Sequence, residues 1–395
     1  MRTDQCFIAD LFDILESELF MLSRLKVEHY KSLFDVEVKL EPLTVFIGPN
    51  GSGKSNICEA LSIASSIMNN IFMLQSVGVD TVFSYALNLL GKNNLSDQGQ
   101  SFFWHGYLDY LQFEIENNSG ENLLPTGNPV SNLSIRYDND HKSLILSNLT
   151  TQNYDDSEFS EQSKTFMISQ RYIKSDLYSD ISYVKIYDFS PNSLSLNTNA
   201  PIEMSSTGEG LPNILANILL SDRERFGELE KRLTQLVPNI KRISLRNNQN
   251  QFLLELVDRY SDHRIPASEI SDGTLRILAF LASLYQIETP SIICFEEIEN
   301  GVHPWLLHKM IELLKLVSTE GINGKPVQVL ITTHSPVLLD YVEPKQVRAV
   351  ELDTEGKTQV HELPIESKAF QKALDAYDGA LGELWFTNVF GGNPV

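Results

Sequence analysis

From Leu22 onward the chain alternates. Leu25 and Val27, then Val36, Val38 and Leu40, are apolar positions separated mostly by charged ones. A repeat of two predicts short strands with one buried face, and the apolar run Leu43 to Ile47 continues the series as a third strand. At Lys54 the period changes. Ile57, Leu61, Ala64 and Met68 recur at helical spacing, and Ala60, Ile63 and Ile67 widen the face, which predicts a helix from Lys54 to about Asn70.

Residues 80–165 are rich in Asn, Ser, Asp and Gly, broken by alternating stretches at 102–115 and 133–146 around Asp138-Asn139-Asp140. These read as hairpins with polar turns, an antiparallel insert. Residues 152–165 are acidic and polar enough to be a mobile loop. Another strand is expected at 183–189, ended by Ser190-Pro191, and a helix at 211–236 with Asp222-Arg223-Glu224-Arg225 solvated. A third helix is expected at 277–287, and short buried strands at 291–295 and 327–333. Residues 1–20 place Phe7, Ile8, Leu11, Leu15 and Leu19 near helical spacing with acids between them, an amphipathic helix without the basic start of a signal peptide. No heptad pattern is sustained, so a long coiled-coil arm is not expected.

With 395 residues and 42% hydrophobic content the chain can bury a full core. Its formal charge of -21 argues against a surface coated for nucleic acid, although a local basic groove stays open. Cys6, Cys58 and Cys294 lack metal-ligand spacing and read as reduced and buried, which suits a cytoplasmic location. Three Asn-x-Ser/Thr matches, at Asn117, Asn132 and Asn148, read as chance. No apolar run approaches the roughly 20 residues of a membrane span, so no membrane partner is expected.

Between the third strand and the first helix stands Gly48-Pro49-Asn50-Gly51-Ser52-Gly53-Lys54-Ser55. This is a phosphate-binding loop: glycines let backbone N–H groups surround a phosphate, Lys54 reaches the β and γ phosphates, and Ser55 offers a hydroxyl to Mg²⁺. The helix start adds its positive end to the same anion. Further along, the strand at 291–295 ends in Glu296-Glu297. There the first carboxylate can hold Mg²⁺ through water and the second can orient an attacking water, while a solvated acidic turn is an equal reading of that pair alone. His334, at the end of the strand at 327–333, can donate to a γ phosphate, yet a strand-end histidine is more often structural. Ser271-Asp272-Gly273-Thr274 opens an apolar helix, either as a second anion site or as an ordinary N-cap.

Together these motifs resemble the ABC-type ATPase heads of the SMC, RecF and OLD-like group, most closely its stand-alone ATPases with AAA-like domains and no nuclease domain. Residues 48–55 match Walker A, 270–274 the ABC signature, 294–297 the Walker B end, and His334 the switch histidine. The Tyr30-Lys31-Ser32-Leu33 and Glu299-Asn300-Gly301-Val302-His303-Pro304 runs also look like this group. The match covers most of 22–75 and 208–345.

The resemblance implies an α/β P-loop NTPase: an ABC-type head with a mixed central sheet, an antiparallel β subdomain and an α-helical signature subdomain. The implied organisation is an N-terminal helix at 1–20, a head at 21–345 and a C-terminal extension at 346–395. Within the head lie a β-rich insert at 80–190 and a helical signature region at 208–290. Two heads would pair head to tail, each ATP lying between Asn50, Gly51, Ser52, Gly53, Lys54, Ser55 and Asn56 of one chain and Ser271, Asp272 and Gly273 of the other. Ser55 and Glu296 would hold Mg²⁺, and Glu297 and His334 would be catalytic. Glu296 departs from the usual Walker B aspartate by one methylene, and Asp272 and Thr274 depart from the commonest transporter signature. No glutamine is clearly the Q-loop residue; Gln75, Gln98, Gln100 and Gln112 are candidates.

The function expected from this is a dimeric or larger ATP-hydrolysing switch. The stretch after His334 is shorter than the roughly 100 residues of a typical domain, so a separate effector chain is expected, as in two-gene anti-phage systems. The rival is a DNA repair or chromosome ATPase binding nucleic acid through Lys231, Arg232, Lys241, Arg242 and Arg246. A transporter ATPase and a scaffold that binds ATP without hydrolysis are further alternatives. The apolar segment 381–392 docks either on the head or on a partner.

Overall fold

The computed structural model describes residues 21–69, 110–117, 132–138, 143–147, 183–196, 203–248, 251–322 and 324–392. The expected helix at 1–20 and loop at 152–165 lie outside them. The three expected strands form β1 (Leu22–Tyr30), β2 (Leu33–Lys39) and β3 (Leu43–Ile47), and helix α1 (Lys54–Asn69) follows. Next come β4 (Tyr110–Asn117), β5 (Asn132–Asp138), β6 (Ser143–Ser147) and β7 (Val184–Tyr187). The expected long helix is two, α2 (Leu211–Ser221) and α3 (Arg223–Leu236). Asp222 between them is extended, and its side chain accepts the Arg225 N–H at 3.0 Å, so it caps α3 rather than continuing α2. Arg225 is not solvated as expected either, since it donates to the Gln286 carbonyl at 2.8 Å.

A hairpin absent from the sequence reading comes next: β8 (Ile240–Asn248), β9 (Gln251–Asp258) and short β10 (Arg264–Pro266). The chain continues through α4 (Asp272–Tyr285), β11 (Ile292–Glu296), α5 (Pro304–Thr319) and β12 (Gln328–Thr333). It ends with β13 (Val347–Leu352), β14 (Thr358–Glu362), α6 (Lys368–Ala376) and α7 (Leu381–Phe386).

The central sheet has the order β14-β13-β3-β12-β11-β7, all parallel except β14, and a second, antiparallel sheet runs β2-β1-β4-β5-β6. Alternation along each central strand divides two cores. Val45, Ile47, Ile293, Phe295, Val329 and Ile331 face the cluster built with α2 to α5; Phe46, Cys294 and Leu330 face α1 and the second sheet. Helix α1 therefore lies between two sheets. Its Ile57, Cys58, Ala60, Leu61, Ile63 and Ala64 are all fully buried. At roughly 1.5–3 kcal/mol per buried Leu or Ile, this packing outweighs the indifferent helix propensity of its Ser and Ile residues. Gln328 ties the two sheets together, accepting the Leu22 N–H at 3.0 Å and donating to the carbonyls of Leu22 and Glu41.

Leu381, Leu384, Trp385 and Phe390 are buried in the larger core, so most of the C-terminal segment packs on its own head, leaving Phe386 exposed. This architecture is that of an α/β P-loop head with a mixed central sheet.

Candidate functional site

Strands β3, β11 and β12 are adjacent and parallel, so their C-terminal ends open on one edge of the sheet. In such sheets ligands bind at that edge. The loop 48–53 leaves β3 there under tight constraint. A Cβ on Gly48 would stand 2.0 Å from the Val350 carbonyl oxygen, and one on Gly53, at φ 103°, would stand 2.2 Å from Thr358 Oγ1. Thr358 braces the loop, its hydroxyl lying 2.9 Å from the Ser52 carbonyl oxygen and 2.7 Å from Ser32 Oγ. Asn56 Nδ2 donates to the same Ser32 oxygen at 2.8 Å. The Ser52 hydroxyl is buried without a hydrogen-bond partner.

Lys54 lies at the first turn of α1, buried, with Nζ donating to the carbonyls of Gly48 and Pro49, both at 2.8 Å. Burial holds its pKa below the usual lysine value, against the opposing charges of Glu297, Glu299 and Glu296. A polyphosphate would replace two backbone carbonyls with full negative charges, a better partner for a buried ammonium.

The Ser55 hydroxyl hydrogen-bonds the Glu296 carboxylate, joining α1 to the end of β11. Burial, first, and then the charges of Asp188, Glu59 and Glu297 push the Glu296 carboxyl up to about 7. Asp188 follows Tyr187, which pairs with Phe295, so Asp188 and Glu296 leave neighbouring parallel strands side by side. Among the described residues no group of three or more His, Cys, Asp or Glu is arranged to hold a metal ion alone. A hydroxyl and a carboxylate beside a phosphate loop instead fit Mg²⁺, which binds through one or two carboxylates plus substrate phosphates.

Glu297 takes φ 45°, a left-handed conformation uncommon outside glycine, where the chain turns off β11. Its N–H donates to the Thr332 carbonyl at 2.9 Å, and Asn300 Nδ2 donates to its Oε2 at 2.6 Å. His334 Nδ1 lies 3.8 Å from Glu297 Oε1 and 3.6 Å from Glu299 Oε1. Both Glu297 and His334 remain over a third exposed, open to a reactant.

Lys54, Ser55, Glu296, Glu297 and His334 thus meet at one edge. Ser271 does not join them. Its Oγ accepts the Thr274 N–H and lies 2.9 Å from Thr274 Oγ1, capping α4, and the exposed Asp272 begins the helix. Gly273 abuts the turn after β11, since a Cβ on it would stand 2.6 Å from the Gly301 carbonyl oxygen. Among the described residues no hydrogen bond or ion pair links 271–274 to 48–56. Gln112 lies on β4 with its amide on Glu114, while Gln75, Gln98 and Gln100 fall outside the described residues.

Sequence reasoning missed Asp188, Thr358, Glu299 and Asn300. Glu299 and Asn300 stood in a run noted only as a likeness, whereas nothing local marks Thr358. Of the basic residues named for DNA, Lys231 pairs with Glu228, Lys241 with Asp262, Arg246 with Glu255, and Arg232 hydrogen-bonds Tyr285. Cys58 and Cys294 are buried free thiols in contact, and that contact together with burial pushes Cys58 up.

Residues 43–340 match the model of a family described as "AAA domain, putative AbiEii toxin, Type IV TA system". An Smc head crystallised bound to the C-winged helix domain of ScpA is similar over 88% of this chain and 99% of its own, at 15% identity and TM-score 0.53. A Pyrococcus furiosus Smc head with an extended coiled coil, bound to the C-terminal domain of ScpA, covers 91% of this chain and 100% of its own, at 14% identity and TM-score 0.49. In sequence, 43 residues are 44% identical to the OLD nuclease of Thermus scotoductus (strain ATCC 700910 / SA-01), spanning 11% of this chain and 8% of that protein.

Proposed function

The chain belongs to this AAA-domain family, with the fold of an Smc-type ATPase head, and on that premise we propose that it is an ATP-hydrolysing switch. What supports hydrolysis is the convergence of Lys54, Ser55, Glu296, Glu297 and His334 at the open edge of β3, β11 and β12. In this reading Lys54 exchanges its two carbonyl partners for the β and γ phosphates. Mg²⁺ supplies charge neutralisation on the phosphate oxygens, with Ser55 and Glu296 as its protein ligands. Glu297, kept in place by Asn300, accepts a hydrogen bond from the attacking water and aligns it with the γ phosphorus. His334 donates to a γ oxygen.

The exposed Ser271 and Asp272 and the half-buried Gly273, lacking bonds to their own chain's loop, would serve a second copy, giving a head-to-tail dimer with two shared sites. The output would be dimer opening and closing that controls a separate effector, with a role in anti-phage defence. The family's description as the putative toxin of a toxin–antitoxin pair favours a two-component arrangement. The DNA-binding rival loses support because four of its five cationic contacts already have partners within the chain.

Phosphate release by the wild type and by Glu297→Gln tests the reading. The substitution should cut turnover about a hundredfold or more while ATP still binds. Equal turnover in the two proteins would remove Glu297 from the mechanism. For the effector, affinity purification from the native host should recover a partner that depends on an intact Lys54.

A further inference from the structure

Glu299 has no part in the reaction as drawn, yet its surroundings are unusual for a carboxylate. Its side chain is only 11% exposed. Oε1 accepts the Thr333 hydroxyl at 2.6 Å and the His334 backbone N–H at 3.1 Å, and it stands 3.6 Å from His334 Nδ1. Oε2 is buried with no hydrogen-bond partner. Leaving a buried carboxyl oxygen without a hydrogen-bond partner is costly.

The two bonds to Oε1 act where β12 ends. Thr333 is the last residue of that strand, and past it the sheet no longer dictates where His334 points. Glu299 takes over that task, while the next residue, Asn300, grips Glu297. One turn, entered at Glu297 with φ 45° and left at Gly301 with φ 69°, therefore sets both groups that face the reaction.

We propose that Glu299 is a positioning residue that works through His334, its Oε1 fixing the exit from β12 so that the imidazole is held beside Glu297. The inference rests on the ATPase reading and adds to it a dependence of one reacting group on a residue outside the reaction.

The test is a double-mutant cycle with kcat, the Kd of a fluorescent ATP analogue, and Tm measured for each protein. Glu299→Ala should lower kcat at least about tenfold, as loss of alignment does, with Kd unchanged. Glu299→Gln keeps the acceptor and should recover kcat to within about threefold of wild type, which also covers the case of an Ala variant that fails to fold. In a His334→Ala background Glu299→Ala should cost nothing further, because residues acting as one unit are not additive. Multiplicative losses in the two backgrounds, or kcat unchanged in Glu299→Ala, would overturn the proposal while leaving the ATPase reading intact. A wild-type chain that hydrolyses no ATP would overturn both.

Discussion

Glu296 shows what the local environment does to a single carboxyl. Burial and neighbouring acids raise it to about 7, so the protonated form is favoured in the fold. Its contribution to stability is complete below the ordinary carboxylate value and is lost as pH rises through about 7, a swing of about 3 kcal/mol at most. Thermal melting without divalent cations should therefore fall for the wild type relative to Glu296→Gln between pH 5 and pH 8. A constant gap would show that Glu296 ionises freely. Gly53 makes a second residue-scale case. At φ 103°, with Thr358 Oγ1 2.2 Å from where a Cβ would stand, Gly53→Ala forces the loop off its brace. ATP affinity should drop about tenfold or more, as misplacement by about 1 Å predicts, and the melting temperature should fall too, because a side chain is strained at that φ. Unaltered affinity would show the loop to be looser than its contacts require.

Among the elements, helix α1 carries the largest consequence, because it lies between two sheets and begins at the phosphate loop. Leu61 is fully buried there, so Leu61→Ala should destabilise the chain by about 2–5 kcal/mol in denaturant titration. A loss below 1 kcal/mol would mean that the site collapses without a cavity. Helix and strand existence near the loop was legible in the sequence, because the period shifts sharply at Lys54 and the buried strands are short apolar runs. The break at Asp222 was less visible. The apolar spacing continues from α2 into α3, and only the competition of Asp222 as a cap interrupts it. The β8–β9 hairpin escaped because its outer positions, including Lys241, Arg242 and Arg246, read as a charged surface stretch. Its alternation appears only when Ile240, Ile243 and Leu254 are seen packed in the core. The site was legible wherever a motif is contiguous. Thr358, 326 positions from the Ser32 it touches, could be found only by folding the chain.

At the scale of the whole molecule, the sheet brings the phosphate loop, the acidic strand end and His334 together but leaves Ser271 capping its own helix. In the proposed reading one chain thus presents two partial surfaces for a nucleotide. The net charge of -21 and the internal pairing of Lys231, Lys241 and Arg246 make duplex DNA an unfavourable partner for those basic residues. Duplex DNA should bind weakly at physiological salt; tight binding whose affinity falls steeply with salt would restore the chromosome-ATPase rival. Among the described residues no helix is long and apolar enough to cross a membrane. In the proposed reading another copy of the chain completes the second partial surface. Light scattering on Glu297→Gln, with and without ATP and Mg²⁺, measures this directly. ATP should raise the mass by pairing heads, and adding Lys54→Ala should abolish the increase. A chain that binds ATP with no change in mass would contradict it.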